Sequence, residues 1–156
     1  MYRVSHFLIF FVCSLLMFSA CEQPAAEQTS PERRVIATDA APPAVGPYSQ
    51  AIQVGNMLFL AGQIGLDPET RTIVEGGVEA ETRQAMSNLN AVLEAAGFTM
   101  ANVVQAQVFL ADLNDYAVMN EIYGSYFAEG YPGRAAVQAA RLPLDARVEI
   151  MMTAVK

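Results

Sequence analysis

Pro132-Gly133-Arg134-Ala135-Ala136-Val137-Gln138-Ala139-Ala140-Arg141-Leu142-Pro143, followed by Arg147-Val148-Glu149-Ile150, is the stretch from which the fold is read. Pro132 and Gly133 break any preceding helix, because proline has no amide proton to donate and its ring crowds the turn before it. Small and β-branched residues then favour extended chain, Leu142-Pro143 breaks it again, and a last apolar run follows. The stretch therefore reads as turn, strand, turn, strand. Two short strands joined by a tight connection are expected to pair, bringing Arg134 and Glu149 into one neighbourhood. The residues alone leave two readings of that pair open. A guanidinium fork can hold a substrate carboxylate through two parallel hydrogen bonds, and a nearby carboxylate can hold and activate a water. Equally, a surface arginine beside a half-buried, salt-bridged glutamate needs no function, and structural ion pairs are commoner than active sites.

Upstream of this stretch, Val103 to Leu110 alternates, and Val104, Ala106, Val108 and Leu110 are expected to form one apolar face of a strand. Asp115 to Ala128 reads as a helix ended by Gly130 and Pro132. Val78 to Ala96 is the clearest helix: Ala85, Met86, Leu89, Val92, Leu93 and Ala96 recur at helical spacing, and Gly97 is a natural stop. Ser49 to Val54 and Met57 to Ala61 flank Gly55-Asn56, a hairpin signal. Gly62 to Thr72 reads as loop, as does the Pro-rich run Ala41 to Tyr48, and Val35-Ile36-Ala37 as an edge strand. Strands gathered on one side of two helices give an α+β fold, a mixed sheet packed on two α-helices.

The chain has 156 residues, enough for one core. Its only histidine is His6 and its only cysteines are Cys13 and Cys21, all at the N-terminus. A domain over residues 35–156 thus contains no imidazole and no thiol. That excludes histidine triads, cysteine nucleophiles, internal disulfides and the usual zinc sites. The formal charge is -7. Without residues 1–20 the chain loses only Arg3, leaving 8 basic against 16 acidic residues. Such a surface repels phosphate backbones, so no nucleic-acid partner is expected. Glycine-rich nucleotide loops, GxSxG and HExxH are all absent.

Residues 1–20 read as a signal peptide: Arg3, then an apolar run from Phe7 to Phe18, then Ser19-Ala20. The run is too short for a membrane span, which needs about twenty residues. Cys21 after Ser19-Ala20 resembles a bacterial lipobox, although Phe18 stands where Leu is usual, and this implies lipidation of Cys21. The expected location is the periplasm, lipid-anchored, with a soluble periplasmic protein as the alternative. Residues 21–34, rich in Pro, Ala, Gln and Glu, read as a flexible tether.

The opening stretch resembles the signature of the RidA (YjgF-type) family of imine and enamine deaminases. Gly46-Pro47-Tyr48-Ser49-Gln50, Ala61-Gly62-Gln63-Ile64, Glu94-Ala95-Ala96-Gly97 and Phe109-Leu110-Ala111-Asp112-Leu113-Asn114-Asp115-Tyr116 agree in order, and the likeness runs from about Val35 to the C-terminus. The resemblance implies a RidA/chorismate-mutase-like fold and a homotrimer with its pockets in inter-subunit clefts. It implies hydrolysis of 2-imino acids or their enamine tautomers to 2-oxo acids and ammonia, with no metal or organic cofactor. Arg134 would bind the substrate carboxylate and Glu149 would position the water and move protons. Tyr48, Gly62, Asn120 and Ala136 would line the substrate site. Ala136 stands where many members carry Cys, Ala61 where many carry Ser, and Gly133 where Ala is frequent. Two rival readings keep the fold without the reaction: an exported small-carboxylate-binding protein, and a chaperone-like trimer.

Overall fold

The structure, a computed structural model, describes residues 30–128 and 130–156. The expected signal peptide, Cys21 and most of the expected tether lie outside the described residues. Residues 31–156 form one unit. Its elements run β1 (Arg33–Ile36), β2 (Ala51–Val54), β3 (Met57–Leu60), β4 (Gln63–Ile64), α1 (Gly77–Ala95), β5 (Val103–Leu110), α2 (Tyr116–Gly124), β6 (Gly133–Gln138) and β7 (Val148–Val155). Arg33 and Arg34, within the stretch expected to be a tether, pair with Val54 and Gln53 in β1.

The strands form one mixed sheet in the order β1-β2-β3-β7-β5-β6, with β4 also pairing with β7. Every pairing is antiparallel except β5 with β6. This corrects the expected β6–β7 pair. Residues 139–147 join the two strands, a connection longer than the roughly two to five residues of a hairpin loop. Meanwhile β5 reaches β6 through α2, the kind of crossover a parallel pair requires. So β6 takes the outer edge of β5, and β7 enters on its other side, between β5 and β3.

Both helices cover one face. Leu58 and Leu60, Ala106, Val108 and Leu110, and Val148, Ile150, Met152 and Ala154 point to it with strand periodicity. Met86, Leu89, Val92 and Leu93 of α1 and Met119 of α2 meet them, all essentially without solvent exposure. Truncating one of these, Leu93 for example, to alanine costs about 2–5 kcal/mol through lost burial and the cavity left behind. The alternation in β5 slips at its start. A register irregularity between Val103 and Gln105 turns Val103 into the core and leaves Val104 49% exposed, against the expected face.

The second helix is also shorter than the sequence suggests. After Gly124 the bonds tighten to three-residue spacing, Tyr126 N to Tyr123 O and Phe127 N to Gly124 O, while Ser125 Oγ donates to Ile122 O at 2.7 Å. The other sheet face carries Ile52, Phe59, Phe109, Glu149, Met151 and Thr153, by register with the core positions. No described element covers it.

Candidate active site

Three buried polar side chains fasten the loops that surround Glu149. Gln50 Nε2 donates to the carbonyls of Ala41 and Pro42, at 3.1 and 2.8 Å, and its Oε1 accepts from Thr38 N at 2.7 Å. Asn88 of α1 donates through Nδ2 to Leu66 O at 2.9 Å and Ile64 O at 3.3 Å. Glu81 Oε2 accepts from Arg147 N at 2.7 Å, fixing the entry to β7. Each bond satisfies a backbone group that irregular chain would otherwise leave unpaired.

The fastened loops enclose a cavity of about 640 Å³ against the open sheet face, lined by Pro42, Tyr48, Gly62, Ile64, Leu144 and Glu149 among others. Gly62 sits against the Glu149 carboxyl group. A Cβ at 62 would overlap Oε1 outright and lie 2.9 Å from the carboxyl carbon, so glycine here serves close approach. Among the described residues no side chain donates to the Glu149 carboxylate, and burial alone pushes its pKa up. Desolvation disfavours its charged form, which makes it a better proton acceptor once ionised. Tyr48 lines the same cavity, half-exposed, its phenol oxygen accepting from Val45 N at 3.4 Å.

Arg134 is elsewhere. It pairs with Ala106 across the β5–β6 ladder and so points to the helix face. There its Nη2 donates to Asn120 Oδ1 at 2.5 Å and to the Tyr116 phenol at 3.2 Å, and its guanidinium lies 4.6 Å from the centre of the Tyr123 ring. Among the described residues it forms no ion pair with a carboxylate. Its positive charge is thus supported by neutral acceptors and aromatic faces, and remains available to an anion. A second cavity, of about 360 Å³, is lined by Asn120, Tyr123, Gly124, Tyr131, Pro132 and Arg134. Burial pushes the Tyr123 phenol up to about 12, with Arg134 pulling the other way, and its hydroxyl finds no partner among the described residues.

The site residues read from sequence therefore divide into two groups. Glu149, Gly62 and Tyr48 share one cavity; Arg134 and Asn120 share the other. Ala136, two residues beyond Arg134 on the same face, packs against the core and lines neither. The expectation that Arg134 and Glu149 come together within one chain fails, because β5 lies between their strands. Sequence reasoning also passed over Tyr116 and Tyr123. With Asn120 they fall at the i, i+4, i+7 spacing of one helix face, a signal that would have located the seat of the guanidinium.

Comparison with known proteins adds four findings. The profile of the family described as endoribonuclease L-PSP matches residues 38–156. The 2-iminobutanoate/2-iminopropanoate deaminase of Mus musculus is 51% identical over 124 residues, which cover 80% of this chain and 92% of the mouse protein. The crystal structure of RidA from a Psychrobacter species superposes with a TM-score of 0.76 at 46% identity, covering 79% of this chain and 99% of that one. The crystal structure of TdcF from E. coli with bound serine gives a TM-score of 0.76 at 40% identity, covering 79% and 98%.

Proposed function

We infer the function from one premise: the chain belongs to the RidA (YjgF-type) family, described as endoribonuclease L-PSP. It is an imine deaminase, hydrolysing reactive 2-imino acids and their enamine tautomers to 2-oxo acids and ammonia. The observation that carries this reading is the unpaired, desolvated Glu149 carboxylate held against Gly62 in a largely apolar cavity. The acidic composition supports this small-molecule chemistry over the ribonuclease activity that the family description names.

Arg134 anchors the substrate carboxylate and so fixes the imine carbon. Water held by Glu149 adds to that carbon and gives its proton to the carboxylate. The proton passes to nitrogen, the C–N bond breaks, and ammonia leaves as the carbonyl forms. Orientation and charge stabilisation carry the acceleration, without a covalent intermediate.

Arg134 and Glu149 act on one molecule only if a neighbouring copy brings its Arg134 to this chain's Glu149. A homotrimer with inter-subunit clefts meets that need, and the uncovered sheet face, with Phe59 43% and Met57 37% exposed, supplies apolar surface for the association. Residues 1–20 direct export and Cys21 carries a lipid that holds the protein at the periplasmic side of a membrane. The reaction is tested with imines generated in place by an amino-acid oxidase. The purified chain should reduce the imine trapped by semicarbazide, and trapping unchanged by the protein refutes the deaminase.

A further inference from the structure

The Glu149 cavity has a second charged side chain that the deaminase chemistry above does not use. Arg71 lines it, the one cation among the residues that do. Arg71 comes from the turn over Asp67 to Thr72. There Asp67 N donates to Thr72 O at 3.0 Å, Arg71 N donates to Asp67 O at 2.9 Å, and Asp67 Oδ1 accepts from the amides of Glu69 and Thr70. The turn holds Arg71 at φ 58, a left-handed conformation that suits glycine rather than a long side chain. Among the described residues Arg71 forms no ion pair, with Glu149 or with any other carboxylate. Arg71 therefore lines the same cavity as Glu149 without pairing with it.

Resting on the imine-deaminase reading, we propose that Arg71 is a specificity-determining residue that selects imino acids carrying a second acid group on their side chain, the imines of dicarboxylic amino acids. The charges favour it. Arg134, Arg71 and ionised Glu149 together leave one net positive charge in the completed site. A protonated imine with a single carboxylate is neutral and leaves that charge uncompensated. A protonated imine with two carboxylates is a net anion and balances it. The Arg134 guanidinium takes the carboxylate next to the imine carbon, and Arg71, exposed at the cavity margin, takes the distal one. The chemistry at the imine carbon is unchanged: water forms the C–O bond, and the C–N bond breaks with ammonia leaving.

The test uses the full-length chain in detergent with imines of alanine and of aspartate or glutamate, each made in place by a matching oxidase. Arg71→Gly suits the backbone at φ 58, so folding is preserved, and Arg71→Lys keeps the charge. An exposed charge contact of this kind predicts that Arg71→Gly lowers kcat/KM for the dicarboxylic imines by up to about fivefold, chiefly through KM, and leaves that for the alanine imine almost unchanged. Arg71→Lys should restore part of the difference, and raising the salt to about 0.5 M should shrink the unmodified chain's preference. A ratio between the two substrate classes that Arg71→Gly leaves unchanged overturns the assignment while leaving the deaminase intact. Failure of the unmodified chain to hydrolyse any imine overturns both.

Discussion

Arg134 and Glu149 stand on opposite faces of one sheet, two strands apart. Arg134 pairs with Ala106 on the helix side, whereas Glu149 pairs with Phe109 on the open side. From about 4.8 Å between strands and ~3.3 Å of rise over the residues that offset them, their Cα atoms are about 14 Å apart. No single 2-imino acid bridges that gap through a packed sheet. On the mechanism proposed above, the arginine and the glutamate that serve one substrate then come from different copies.

This arrangement predicts complementation between impaired variants. Arg134→Ala and Glu149→Gln are each expected to be strongly impaired alone. Mixed at equal amounts, unfolded and reassembled together, they should recover activity at about one quarter of the sites of a cyclic trimer, those where an intact Arg134 meets an intact Glu149. The measurement is imine hydrolysis before and after mixing, with native mass spectrometry counting the subunits. A mixture as inactive as its parts would refute a site shared between copies.

The two variants should also fail differently. Losing a desolvated bidentate contact costs about 2–5 kcal/mol, roughly thirtyfold or more in affinity, so Arg134→Ala weakens binding of 2-oxo acids along with turnover. Glu149→Gln keeps the shape of the cavity and removes the base, so product binding survives while kcat falls by about 10²-fold or more. Calorimetry with pyruvate beside the imine assay separates the two.

At position 62 one methyl group is decisive. Gly62→Ala places a Cβ on the Glu149 carboxyl group, which must rotate away or shift. A displacement of about 1 Å at a catalytic group can cost about 10²-fold in rate. The Gly62 backbone is not in the left-handed region, so the fold should tolerate the change. The expected outcome is low kcat/KM with a Tm close to that of the parent, and a parent-like rate would remove the close-approach argument.

Much of this was legible from residue order. The stripe from Ala85 to Ala96 fixed α1, Gly55-Asn56 fixed the β2–β3 hairpin, and the spaced motifs pointed to the family and to its polar residues. What local pattern could not supply was strand order. The sequence around Arg134 and Glu149 is equally compatible with β6 beside β7 or with β5 between them, because both leave the same residues extended. The irregularity at Val103 was hidden for a related reason: alternation in β5 continues on either side of it, and only pairing with β7 reveals the extra residue. Arg71 and Tyr123 carry no local motif, and the cavities that give them meaning are assembled from distant segments.

Two carboxyl groups make stability and activity respond oppositely to pH. Burial raises the pKa of Glu149, and burial also raises that of Glu81, against the lowering effect of the Arg147 amide and charge. A carboxyl raised in the folded state binds its proton more tightly there than in the unfolded chain. Its contribution to stability is full below the unfolded value and is lost as pH rises through the folded one. Tm should therefore fall as pH rises above the ordinary carboxylate range, while kcat/KM, needing ionised Glu149, rises across the same interval. Glu149→Gln should raise Tm near neutral pH and reduce this slope, leaving the part due to Glu81. A lower Tm for that variant near neutrality would contradict the sign.

Cys21→Ser tests the anchor. It should abolish incorporation of labelled fatty acid and move the protein from the membrane to the soluble fraction. Membrane association that survives the substitution refutes lipidation.

Because β5 keeps the arginine and the glutamate of one chain apart, the proposed mechanism leaves an isolated copy with two halves of a site and no whole one. Its rate law cannot be first order in protein at every concentration. Above the dissociation constant of the assembly, activity scales with the amount of chain. Below it, activity falls more steeply than the dilution, so assembly itself sets a concentration threshold below which reactive imines are left to decay unaided.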